Sequence, residues 1–101
     1  MTIKEIKAMF TTGSRWHAKR ESERECVIHD NTGTTVLVPK NVETLRTVEK
    51  CGSKDIVFRL ETGKKYYTPI PKASEVLEAR PGYLAFTIPD VCLVTLTQVT
   101  Q

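Results

Sequence analysis

The chain has 101 residues, a formal charge of +3, 40% hydrophobic and 27% charged residues. That is the size and balance of one globular domain, residues 1–101, able to bury about two thirds of its unfolded surface without disulfides or metal. No run of about 20 apolar residues exists to span a membrane, and the three widely spaced cysteines Cys26, Cys51 and Cys92 make a poor disulfide framework and fit a reducing, cytoplasmic setting.

Residues 2–10 read as a short helix. Thr2 and Glu5 stand at capping-box spacing, and Ile3, Ile6 and either Met9 or Phe10 share one face, an apolar stripe that must dock as a lid because so short a helix is marginal alone. The same segment alternates charge with apolar residues and lacks the continuous apolar core of a signal peptide. Gly13 ends it.

From Ser14 the period changes to two. Strand alternation places Ser14, Trp16 and Ala18 on one face and Arg15, His17 and Lys19 on the other, so the only tryptophan turns inward and a basic row turns outward. A one-residue slip instead exposes Trp16 as a stacking platform. Residues 21–25 form a solvated mixed-charge run. Cys26-Val27-Ile28 is a short apolar piece, Asp30-Asn31-Thr32-Gly33 is turn chemistry, 34–38 is a β-branched strand, and Pro39-Lys40-Asn41 breaks it.

The middle of the chain predicts a three-stranded meander: strands at 42–51, 56–61 and 65–70, with turns at 52–55 and at Thr62-Gly63-Lys64. Ile56, Phe58 and Leu60 take one face; Val57, Arg59 and Glu61 take the other. Residues 71–80 read as a short helical turn that opens on Pro71 and stops at Pro81-Gly82. Strands follow at 83–88 and 91–99, parted by Pro89-Asp90.

About six short strands with a short N-terminal helix and one late helical turn predict a mainly β fold, an SH3-like five- to six-stranded barrel. An OB-like barrel or a small α+β sheet is the alternative. The phrases Gly13-Ser14-Arg15-Trp16, Arg46-Thr47-Val48, Pro71-Lys72-Ala73-Ser74-Glu75-Val76 and Pro81-Gly82-Tyr83-Leu84 resemble small uncharacterised β-barrel proteins encoded by phages and prophages. The resemblance covers about a third of the chain and implies a biological setting, with no activity or functional residues attached.

Two basic–aromatic groups are the candidate binding surfaces. One is the outward row Arg15, His17 and Lys19. The other is the hairpin of Arg59, Lys64, Lys65, Tyr66 and Tyr67 with Lys72, where residues 58–72 hold four cations and one acid, a net +3 equal to that of the whole chain. If 65–70 is a strand, one of the adjacent tyrosines faces away from the core, where it can stack a base or pack on a protein. A solvated hairpin tip whose lysines prevent edge pairing is the plainer account.

Cys26, His29, Cys51 and Cys92 could supply four zinc ligands, yet only Cys26 and His29 have paired spacing, so no metal or other cofactor is expected. Cys26 with His29, or Cys51 with either histidine, would be a nucleophile–base pair, but no nucleophile elbow, phosphate loop or metal-binding helix motif accompanies them. Glu21, Glu23, Glu25 and Asp30 lie among Arg20 and Arg24 and read as a solvated loop rather than a magnesium site. The expectation is a non-enzymatic module: a phage-encoded protein-interaction factor that modulates a host or defence protein, contacting it through the edge strand near Tyr66 or the long loop at 21–33. The alternative is a small barrel that binds DNA or RNA through the basic–aromatic hairpin. A homodimer by edge-strand pairing is compatible with either.

Overall fold

The computed structural model describes residues 1–22, 26–29, 35–38, 42–89 and 92–99; for 26–29, 35–38 and 42–44 only the backbone is described. The expected run at 23–25, the turn at 30–33, the break at 39–41 and the side chains of Cys26 and His29 therefore lie outside the described residues.

The N-terminal helix α1 spans Ile3–Met9 and carries both halves of the capping box, Glu5 N–H to Thr2 Oγ1 and Thr2 N–H to Glu5 Oε1. Strands then run β1 Arg15–Glu21, β2 Cys26–His29, β3 Thr35–Val38, β4 Val42–Cys51, β5 Asp55–Leu60 and β6 Lys65–Pro69. A 3-10 helix occupies Ala73–Glu75, followed by β7 Val76–Arg80, β8 Tyr83–Ile88 and β9 Cys92–Gln98. Seven strands make one antiparallel sheet in the order β6-β5-β4-β1-β9-β8-β7, and β2 pairs with β3 as a separate hairpin.

The fold is mainly β, as the alternation predicts, and β4-β5-β6 is the expected meander. The strand count is higher than expected. The late helical segment is also shorter: only Ala73–Glu75 is helical, and Val76–Arg80 pairs with β8. Pro81 and Gly82, read in the sequence as a helix stop, are instead the centre of a hairpin turn. Gly82 has φ +80°, which together with Pro81 before it is the type II arrangement. A glycine after proline serves a helix end and a hairpin equally well, and β8 decided the outcome by offering its edge.

The sheet curls strongly. Arg20 on β1 donates to Thr68 Oγ1 on β6 at 2.7 Å, although β4 and β5 lie between those strands. Three strand spacings in a flat sheet amount to about 14 Å, more than an arginine side chain spans. The inner face holds the core: Trp16 and Ala18 of β1, Val48 of β4, Ile56 and Phe58 of β5, Leu84 and Phe86 of β8, and Val94 and Leu96 of β9 are all buried. Helix α1 and the residue that caps its C-terminus close it by inserting Ile6 and Phe10. The Phe10 ring sits 4.4 Å from Trp16 and meets Phe58 edge-on at 6.2 Å. The Trp16 indole N–H is satisfied by Ser14 Oγ at 3.0 Å. Among the described residues β6 and β7 are the two free edges of the sheet, and no helix is long and apolar enough to cross a membrane.

Candidate functional site

Two regions gather candidate side chains: the outer surface of the β5–β6 hairpin with the neighbouring β1 row, and a polar cluster inside the curl.

On β1 the alternation holds along its whole length. Arg15, His17 and Lys19 are exposed while Trp16 and Ala18 are fully buried, so the tryptophan is a core anchor and its basic neighbours sit on the opposite face. Lys19 pairs with Glu21 at 2.8 Å. On the hairpin, Glu49 of β4 gathers two of the expected free cations: Arg59 donates to it at 2.7 Å and Lys65 lies 3.5 Å away. The hydrogen bond from Arg59 holds the Glu49 carboxyl below its ordinary range. The clustered charge is thus partly answered by an acid that lies outside the 58–72 window. Lys64 stays exposed at the turn. Lys72 is exposed as well, and its backbone N–H donates to Glu75 at 2.8 Å. It borders a 260 Å³ cavity between the exit of β6 (Ile70, Pro71) and β8 (Phe86, Ile88).

The two tyrosines part as strand alternation requires, yet neither is fully exposed. Tyr67 faces outward beside its cross-strand partner Val57, which is itself buried. Tyr66 faces inward. The hairpin therefore presents no open stacking face at Tyr66, contrary to one of the two expected placements.

Tyr66 instead belongs to a group that inspection of the hairpin alone does not find. The guanidinium carbons of Arg20 and Arg46 lie 3.8 and 4.1 Å from the centre of its ring. Arg20 is 1% exposed and Arg46 2%, and both come from inner-face positions, Arg20 continuing the Trp16–Ala18 row and Arg46 opposing Trp16 in register. Among the described residues Arg20 makes one hydrogen bond, to Thr68, and its Nε and Nη1 are buried without a hydrogen-bond partner. Among the described residues no carboxylate pairs with Arg20; the tyrosine face stabilises its charge. Burial lowers the pKa of both arginines. For Arg46, with the charge of Arg20 adding to the effect, it is pushed down to about 9. Burial raises that of Tyr66 against the opposing pull of the two cations.

Alternation alone could have placed Arg20 inside, since it is the third residue of the Trp16 row. Composition argued the other way, because an arginine before Glu21 reads as the start of a solvated charge run.

Cys51 and Cys92 form no disulfide, and burial raises the Cys51 pKa, opposite to the shift that activates a nucleophile. Among the described residues no group of three His, Cys, Asp or Glu could hold a metal ion. No known protein family, curated protein or solved structure matches the chain.

Proposed function

We propose that this chain is a non-enzymatic binding module that takes a protein partner, in the setting of a phage-encoded factor acting on a host or defence protein. The curl of the sheet supports keeping an SH3-like small barrel as its architecture, and the sequence phrases support the phage setting.

The observation that carries the reading is the free edge of β6. Leu60 N–H donates to Lys64 O and Ile70 N–H donates to Lys54 O, which fixes the hydrogen-bonded pairs of the hairpin as Phe58 with Tyr66 and Ile56 with Thr68. Lys65, Tyr67 and Pro69 then turn their backbone groups to the open side. Pro69 has no N–H, so the edge presents two donors, at Lys65 and Tyr67, and three carbonyls. Lysine and proline at an edge resist uncontrolled sheet extension. A short extended segment of a partner can still add there, reading Tyr67 and Lys65 through its own side chains.

A nucleic-acid partner has less support. Arg59 and Lys65 share Glu49, Lys19 is paired with Glu21, and Tyr66 lies under two arginines.

The test is affinity purification from nuclease-treated host lysate with the wild type and with Tyr67→Pro, which removes an outward N–H and leaves the β5 bonds of Tyr66 and Thr68 in place. A protein partner held by the wild type and lost by a folded variant is the expected result. Recovery of nucleic acid alone, or equal recovery of the partner by both, would refute the reading. Dimerisation of the wild type abolished by the same substitution would assign the edge to a second copy of the chain instead.

A further inference from the structure

We propose that Arg20, Thr68 and Tyr66, with Arg46 beside them, form an internal binding site for a compact oxyanion. The site is separate from the β6 edge and does not depend on the protein-partner reading.

The hydrogen-bonding inventory of the cluster is what identifies the ligand class. Arg20 has two buried N–H-bearing atoms with nothing to donate to, and its third nitrogen donates to Thr68. Thr68, fully buried, receives that bond and so keeps its own hydroxyl proton available. The Tyr66 hydroxyl is buried against the Arg46 guanidinium, which engages its oxygen and leaves its proton to be donated. Arg20, Thr68 and Tyr66 together offer more donors than the acceptors they meet, from two same-face positions of β6 and one of β1. Arg46 adds a second positive charge over the same ring. A buried guanidinium is normally matched by a carboxylate, and one left without such a partner is strongly penalised. An oxyanion supplies both missing quantities, negative charge and acceptor oxygens, and guanidinium is the side chain whose geometry suits two oxygens at once. Arg20 is almost fully enclosed, so the ligand is small: a phosphate, a sulfate or a single carboxylate.

The experiment is thermal unfolding of the full chain in inorganic phosphate, sulfate or acetate, each at an ionic strength matched with chloride, for the wild type and Arg20→Met. A bound anion stabilises the native state by mass action, and at about ten times its dissociation constant the wild type should melt about 5 °C or more above its chloride value. The variant should show no such increment. A response to phosphate and sulfate alone assigns a tetrahedral dianion; a response to acetate as well assigns carboxylate recognition. No increment over chloride in the wild type would overturn the site. So would an equal increment in Arg20→Met, because surface exclusion of these salts stabilises any protein. Should Arg20→Met fail to fold, Thr68→Val keeps the shape and removes one donor. Its increment at subsaturating phosphate should fall at least severalfold, and an unchanged increment would overturn the proposal.

Discussion

Trp16 and Arg20 stand on the same face of the same strand, four residues and about 13 Å apart. Both are essentially inaccessible to solvent. Around Trp16 the burial is fully provided for: Phe10 covers it, Phe58 meets Phe10 edge-on, and Ser14 accepts its one polar hydrogen. Around Arg20 it is not, because a charge has been enclosed with a tyrosine face and a single hydroxyl. One end of the inner face is built for stability. The other spends stability on a concentration of buried donors, and functional sites in proteins are commonly made that way.

The largest effect that would test this contrast is at the apolar end. Phe10→Ala removes the aromatic plug and should cost about 3–5 kcal/mol in denaturant unfolding. A loss under 1 kcal/mol would show that α1 is not a lid. Thr2→Ala, which deletes the cap of the same helix, should cost about 1 kcal/mol by the same measurement. At the polar end the sign reverses. Arg20→Met in chloride should leave stability unchanged or raise it by about 1 kcal/mol, since an unmatched buried charge is replaced by an apolar chain of similar length. A large loss there would make Arg20 a structural strut.

The smallest effect belongs to the outer surface. Arg59 holds the folded-state pKa of Glu49 below its ordinary value of 4.5. Its contribution is therefore fully present above about pH 4.5 and is lost as the pH falls through the lowered value. Melting temperatures between pH 5 and 3 should fall less steeply in Glu49→Gln than in the wild type, with little difference at pH 7, where exposed ion pairs contribute little.

Much of the fold was legible in the residues. The capping box, the inward Trp16 row, the meander and the alternation of Leu84 and Phe86 all follow from local spacing, and local spacing is what side-chain period reports. The segment 76–80 was not legible. Its bulge between Val76 and Glu78 breaks the period of two, and its strand character comes from pairing with β8. The candidate surfaces were half legible. The sequence requires one of Tyr66 and Tyr67 to face outward, but it does not show which, nor that Glu49 answers Arg59 and Lys65, because that contact is made across the sheet.

By itself, then, the sequence determined a mainly β fold, the inward turn of Trp16, and the edge strand at Tyr66–Tyr67. These depend on residue type and on neighbours one or two positions away. Only the tertiary structure decided that Arg20 of β1, Arg46 of β4, and Tyr66 and Thr68 of β6 converge. Their meeting requires the sheet to curl until strands three places apart face each other, and that curvature is set by the packing of the whole inner face rather than by any one strand.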